Sequence, residues 1–383
     1  MTTMYRADHV GSLLRPAEVL EAHANFDQNR ISAEQLREIE DRGILAVLEL
    51  QREVGLDVVS DGEYRRGSWA GDFFEAVDGY VDGPLPIRFD WRLPDGTARI
   101  PGAAAAVQGM VHSVPMQRGR VVGDKLRQGR RLTEYESVFM KQHAGGPYKV
   151  TQPAASYIVT RGYNPSVAAK AYPTREELCQ DVAKIIAAEV QALAAEGVPY
   201  IQIDNAHYPD YIPEERREQM RSIGIDPDKA LAEDIAADNA TVAGVDRHKH
   251  VVAMHICRGN GRSAWHTSGP YDAIAEQVFG GLDVDRFLLE YDSERAGGFE
   301  PLRFIPKGKQ VVLGLVTTKV GELESQDALL KRIEEAAKYV PIENLALSPQ
   351  CGFASVAQGN LVSWDDQRRK LELVVETARK VWR

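Results

Sequence analysis

Seven short, β-branched runs recur along the chain with helical segments between them, and this alternation is the strongest constraint on its fold. The runs are DVVSD (57–61), YKVTQ (148–152), YIQID (200–204), HVVAMH (250–255), RFLLEYD (286–292), QVVLGLV (310–316) and NLALSP (344–349). HVGSLL (9–14) is an eighth candidate at the front. Between them the apolar residues fall at helical spacing. One predicted helix starts at the N-cap Ser32, with Gln35 three residues on, and stops at Gly55. A second runs from Thr174, with Glu177 at the box position, to Gly197. Further amphipathic helices are predicted over 228–243, 326–339 and 364–381, and a shorter one over 271–279.

Eight strands, most followed by a helix, predict an α/β protein with a parallel sheet. Closure into a single (β/α)8 TIM barrel spanning residues 1–383 fits the length. A doubly wound open sheet is the alternative, but no GxGxxG follows an early strand. Residues 64–147 break the rhythm with VDGPLPIRFD and RLPDG. They predict a β-hairpin insertion over about 80–130, after the second strand, and a short helix near 133–143.

Charge and cysteine content narrow the partners. Lys and Arg total 46 against 56 Asp and Glu, a net charge of -10 without a clustered basic run. That balance argues against nucleic acid or an anionic membrane as partner. No apolar stretch reaches the roughly 18 residues of a bilayer span, and the polar start MTTMYRADHVGS lacks a signal-peptide core, so a cytoplasmic protein is expected. Three scattered cysteines, Cys179, Cys257 and Cys351, are too few for a disulfide framework.

Polar residues gather where the predicted strands end. His255 and Cys257 follow one strand, Glu290 ends the next and Cys351 lies just beyond the last. The active sites of barrel enzymes lie on this face. Two thiolates, an imidazole and a carboxylate form a zinc-type donor set. On the residues alone the choice stays open, since a His-x-Cys pair occurs in cores and Glu290 can pair with an arginine. Glu63 and Asp204, also at strand ends, suit a substrate ammonium, or else salt bridges to Arg65 or Arg66. Cys179 sits inside an amphipathic helix and reads as core.

These segments resemble the zinc-dependent, cobalamin-independent methionine synthases, in their catalytic C-terminal domain and short stand-alone bacterial homologues. The resemblance rests on HVGSLLRP, DVVSDGEYRRGSW, IQIDNAHY, HICRGN, LLEYDSERAG, VVLGLVTTKVGELES and LALSPQCGF, in that order along nearly the whole chain. It implies zinc held by His255, Cys257, Glu290 and Cys351. It implies a homocysteine pocket using Val10, Gly11 and Ser12, with Glu63 and Asp204 on the amino group. Two departures stand out. Pro153-Ala154-Ala155 follows YKVTQ where the long synthases carry a pterin-stacking Trp. Thr317-Thr318-Lys319 replaces the Asp-x-His of a proton donor, leaving Lys319 as the catalytic candidate by position.

The expected activity is therefore zinc-dependent S-methyl transfer to homocysteine or a related thiol, forming methionine. The missing Trp favours a methyl-corrinoid donor, free or on a corrinoid protein, over methyltetrahydrofolate. Two other readings compete: zinc-dependent joining of a thiol such as coenzyme M to an epoxide, and a non-enzymatic zinc protein. Coenzyme M would need arginine near the pocket, and Arg65, Arg66 and Arg258 are close in sequence.

Overall fold

The computed structural model describes residues 4–87, 89–97 and 120–382. Two helices, Ala17–Asp27 and Ala33–Val54, open the chain. Ser32 and Gln35 cap the second reciprocally, and Gly55 ends it in the left-handed region at φ 84°. An antiparallel ribbon follows, built from β1 (Val77–Asp82) and β2 (Arg120–Gln128). It brackets most of the stretch where an insertion was expected, and residues 98–119 of that stretch lie outside the described residues.

The remaining strands form one parallel sheet in chain order: β3 (Lys149–Pro153), β4 (Tyr200–Asn205), β5 (Val251–Ile256), β6 (Arg286–Glu290), β7 (Gln310–Val316) and β8 (Leu345–Pro349). Every residue of the six is buried, as in sheets covered on both faces. Helices Arg175–Glu196, Pro227–Val242, Asp272–Gly281, Gln326–Ala336 and Trp364–Val381 connect or follow them.

Two early segments fasten to the outer strands of this sheet. Ala7 bridges Leu347 of β8, and Val59 bridges Tyr148 at the start of β3. They meet each other where Asp57 N–H donates to the Ala7 carbonyl at 3.1 Å. Pairing at the front thus centres on Ala7, upstream of the 9–14 run. Beyond it Gly11 takes φ 143° and Leu13 N–H turns to the Gly62 carbonyl, so the chain leaves the ladder.

The strand faces sort by a period of two. One face contributes Tyr200, Val251, Ala253, Leu288, Val312 and Ala346 to a small apolar cluster with Tyr5, Val10 and Val58. Continuing that face toward the strand ends brings Asp204 on β4, His255 on β5 and Glu290 on β6. Those residues leave the apolar layer for the site.

Candidate functional site

The parallel register places Asp204 opposite His255. Just past β5 the chain turns, and Cys257 N–H donates to the Asn205 carbonyl at 2.8 Å. Cys351 follows β8, and its Sγ stands 3.4 Å from the Cys257 Sγ. One ligand atom each from His255, Cys257 and Cys351 lies within 4.8 Å of the others, and all three residues are buried.

Their electrostatics suit a cation. Neither His255 ring nitrogen meets an ordinary hydrogen-bond partner, which is costly for a buried imidazole. The Cys257 thiol, donating to Cys351 and buried, is pushed well above the usual thiol range, while Cys351 is held well below it. Two sulfurs and an imidazole within 4.8 Å of one another form a donor set suited to a cation. These residues fit zinc.

Glu290 ends β6 as expected, yet its carboxylate stays outside that group of three. Oε2 accepts from Arg258 N–H at 2.9 Å, and Oε1 pairs with the Arg295 guanidinium. Lys319 is buried near the sulfurs and spends its ammonium on the Gly259 carbonyl at 3.0 Å and Asn260 Oδ1 at 3.4 Å. Its charge favours the thiolate forms of Cys257 and Cys351.

A cavity of about 910 Å³, open mouth included, has His255, Cys257 and Cys351 in its lining. Val10, Ser12, Glu63 and Asp204 line it too, so most of the expected substrate residues converge with the expected metal residues. Gly11 sits behind Glu63; a Cβ there would lie 3.2 Å from Glu63 Oε1 and 2.9 Å from Thr151 Cγ2. Glu63 itself has φ 60°, a left-handed conformation that turns its side chain inward from the loop after Val59. Thr151 donates to its Oε1 at 3.0 Å, and its Oε2 has no partner. Burial raises the Glu63 carboxyl above the usual range, against Arg66 and Arg15. Burial also pushes Asp204 up to about 7, with Glu63 adding to it and His255 opposing. Two buried, under-neutralised carboxyls attract a cation.

Of the arginines that kept a sulfonate in play, Arg66 reaches Glu63 of the cavity at 4.0 Å, one of the salt bridges given as the alternative role of Glu63. Arg65 pairs with Glu40 and Asp41, and Arg66 with Asp72 and Glu136. Arg258 lies over the Tyr271 ring and donates to the Gly269 carbonyl at 2.6 Å.

Sequence reasoning missed the outer wall. Trp69, Phe89, Trp91 and Tyr157 give the cavity an aromatic side, and Arg161 lies among them with its Cζ 4.3 Å from the Phe89 centroid. The Arg161 side chain is buried, and its guanidinium makes no ion pair or hydrogen bond among the described residues. Trp69 was visible at the end of DVVSDGEYRRGSW; Phe89 and Trp91 carried no periodic pattern. In the same lining His207 bridges Asp210 at 3.2 Å and, further in, Asp234 at 3.1 Å. Burial disfavours the imidazolium, but the two carboxylates prevail and raise His207 above the usual histidine range.

A parallel α/β chain with acidic, thiol and imidazole groups gathered past the C-terminal strand ends defines a class, the α/β enzymes that bind small molecules at that face. The family follows from direct comparison. The chain belongs to the cobalamin-independent synthase family, whose catalytic-domain model matches residues 5–84 and 133–380. It is 38% identical over 383 residues to the uncharacterized protein YxjH of Bacillus subtilis, covering 99% of this chain and 95% of that one. It is 26% identical over 350 residues to the methionine synthase of Pyrococcus abyssi, covering 90% and 85%. Among solved structures, a putative vitamin-B12 independent methionine synthase from Listeria monocytogenes matches with a TM-score of 0.73 and 30% identity, over 100% of this chain and 99% of that one. Among the described residues no helix is long and apolar enough to cross a membrane.

Proposed function

We propose that the chain is a zinc-dependent S-methyltransferase that converts homocysteine to methionine, acting in the cytoplasm as one catalytic unit over 1–383. The observation that carries this reading is the shared cavity: His255, Cys257 and Cys351 line the same space as Glu63 and Asp204. As part of the same proposal, the Ala7 and Val59 segments complete an eight-membered barrel, and the β1–β2 ribbon is its insertion over about 80–130.

Zinc bound by these residues supplies a Lewis acid that keeps a substrate sulfur as thiolate at neutral pH. Glu63 and Asp204 hold the substrate ammonium, and both must be ionised to do so. Val10, Gly11 and Ser12 border the amino-acid end; side-chain bulk at Gly11 would displace Glu63. Lys319 keeps positive charge beside the sulfurs and fixes the 259–260 loop. Glu290 stands ready beside the three donors. Trp69, Tyr157, Phe89 and Trp91 exclude water from one side of the cavity and offer flat surfaces to a methyl donor.

A family described as cobalamin-independent gives no support to the corrinoid donor expected from the sequence, and that donor is set aside. The Trp missing after β3 was one ground against methyltetrahydrofolate, and Trp69 and Trp91 supply indole surfaces from elsewhere. Methyltetrahydrofolate is therefore the donor to test first. A second reading, joining coenzyme M to an epoxide, draws on one observation: the unpaired Arg161 in the cavity lining could meet a sulfonate.

The deciding experiment titrates the zinc-loaded protein with homocysteine and with coenzyme M by calorimetry, then assays methionine formation from homocysteine and methyltetrahydrofolate. Homocysteine binding with methionine formation is expected. Tight coenzyme M binding with no homocysteine binding would transfer the proposal to the second reading.

A further inference from the structure

Asp204 stands on two further side chains, neither of which lines the cavity. Gln202, two positions earlier on β4, points to the same face one layer deeper. Its Nε2 donates to Asp204 Oδ1 at 2.7 Å and also to the Val10 carbonyl. Its Oε1 accepts from the Lys149 ammonium at 2.9 Å. Lys149 opens β3 in register with Tyr200, one layer deeper again. Both side chains are buried beside the apolar Tyr200, Ala253 and Leu288. A charge in such a layer is costly unless it is paired and hydrogen-bonded. All three ammonium protons are met here: Asp8 Oδ1 accepts at 2.6 Å, and the His9 carbonyl and Gln202 take the other two. Asp8 is held in turn by Arg286 at 3.4 Å and by the Tyr200 hydroxyl at 3.0 Å.

We infer that Lys149, acting through the Gln202 amide, holds Asp204 in the orientation that receives the substrate ammonium, and so sets a preference for thiols that carry an amino group. The inference rests on the ammonium reading of Asp204 in the preceding section and adds two positioning residues to it. An amide has two unlike ends, and in a buried place its partners decide which way each end faces. An ammonium only donates, so Lys149 draws the Gln202 oxygen to itself. The amide nitrogen is thereby turned to Asp204, and its second proton ties the Val10 carbonyl to the same point. With Oδ1 committed to that N–H, Oδ2 is the oxygen left to the ligand. Without the ammonium the amide is free to turn over and set its oxygen against the carboxylate. Glu63 has separate support from the Thr151 hydroxyl at 3.0 Å, which does not pass through Lys149.

The test uses the zinc-loaded full chain and two thiols that differ only in the amino group, homocysteine and 4-mercaptobutyrate. Calorimetry reads both affinities, and chelator competition reads zinc. Wild type should bind homocysteine the more tightly of the two. Lys149→Met and Gln202→Leu should each weaken homocysteine by about tenfold, the scale of one hydrogen bond to a charged group. Both should leave 4-mercaptobutyrate and zinc within about twofold of wild type. The double variant should lose no more than about twofold beyond the weaker single one, because the two residues act along one chain of contacts. General damage would weaken both thiols alike, so equal losses overturn the inference, as does an unchanged ratio in either variant or a fully additive loss in the double one. Should Lys149→Met fail to fold with Asp8 left charged, Lys149→Met combined with Asp8→Asn removes that charge and carries the same test. A wild type that does not favour homocysteine overturns the ammonium reading together with this inference. A wild type that favours it, with variants that favour it equally, overturns the inference alone.

Discussion

The sulfur atoms of Cys257 and Cys351 stand 3.4 Å apart although 94 residues separate them in the chain. Strands β5 and β8 are not neighbours in the sheet, so only the turns beyond their ends can bring the two sulfurs together. Removing either should abolish zinc binding, while Cys179→Ala should keep it. Cys179 is buried in the helix Arg175–Glu196, away from the cavity, with its thiol pushed up to about 12 by burial. Metal content after dialysis against zinc distinguishes them; equal zinc in wild type and Cys351→Ala refutes the assignment.

Asp204→Asn should weaken homocysteine binding and leave zinc content unchanged. A desolvated charge pair that loses one partner costs about 2–5 kcal/mol, which is one to several decades in affinity. Calorimetry on the zinc-loaded variant reads the change. An affinity within twofold of wild type would remove Asp204 from the ammonium site.

Gly11→Ala should impair the same binding by a different route. The backbone there has φ 143°, where a side chain is strained, and the new Cβ would press on Thr151 and Glu63. Strain of this kind costs about 1–3 kcal/mol. Thermal unfolding should fall and homocysteine affinity with it, and a fully stable variant with unchanged affinity contradicts the close approach.

Arg161→Met should weaken an anionic methyl donor and spare homocysteine. The guanidinium has an aromatic neighbour and no carboxylate partner among the described residues, so an arriving anion meets no competitor. A charge-assisted hydrogen bond contributes about 1.5–3 kcal/mol. Quenching of tryptophan fluorescence by methyltetrahydrofolate, with Trp69 and Trp91 in the wall, provides the readout. Equal quenching curves for variant and wild type would count against the role.

His207 predicts a pH dependence of stability. Its raised value means that the folded chain keeps a proton which the unfolded chain releases near pH 6.5, about the ordinary histidine value. The stabilisation is therefore complete below that pH and is lost as pH rises through the higher folded value. Wild type should lose stability relative to His207→Gln over that range, measured by denaturant unfolding at constant salt. A pH-independent difference would show that His207 stays neutral between Asp210 and Asp234.

The sequence was most legible where strand and chemistry coincide. YIQID, HVVAMH and RFLLEYD announced β4, β5 and β6, and the period of two then carried Asp204, His255 and Glu290 onto one face. The 9–14 run misled because Val10 and Leu13 are as apolar as strand residues, yet Val10 lines the cavity and Leu13 packs in the core of a turn. Arg295 was quoted within LLEYDSERAG without a role, because its hold on Glu290 depends on a short turn, Glu294–Ala296, that folds back on β6. Arg161 and Phe89 meet across 72 positions; no local pattern encodes such an encounter.

Phe89 and Trp91 belong to the stretch between residues 84 and 133 that the family model passes over. The sulfur and carboxylate donors, by contrast, all come from matched segments at strand ends. The aromatic wall is thus divided: Phe89 and Trp91 come from the excursion, whereas Trp69, Tyr157 and Arg161 come from matched segments. Exchanging the excursion would alter two rings of the cavity wall and leave Glu63, Asp204, His255, Cys257 and Cys351 in place. A graft of the excursion between relatives accordingly probes that half of the wall separately from the sulfur and carboxylate residues.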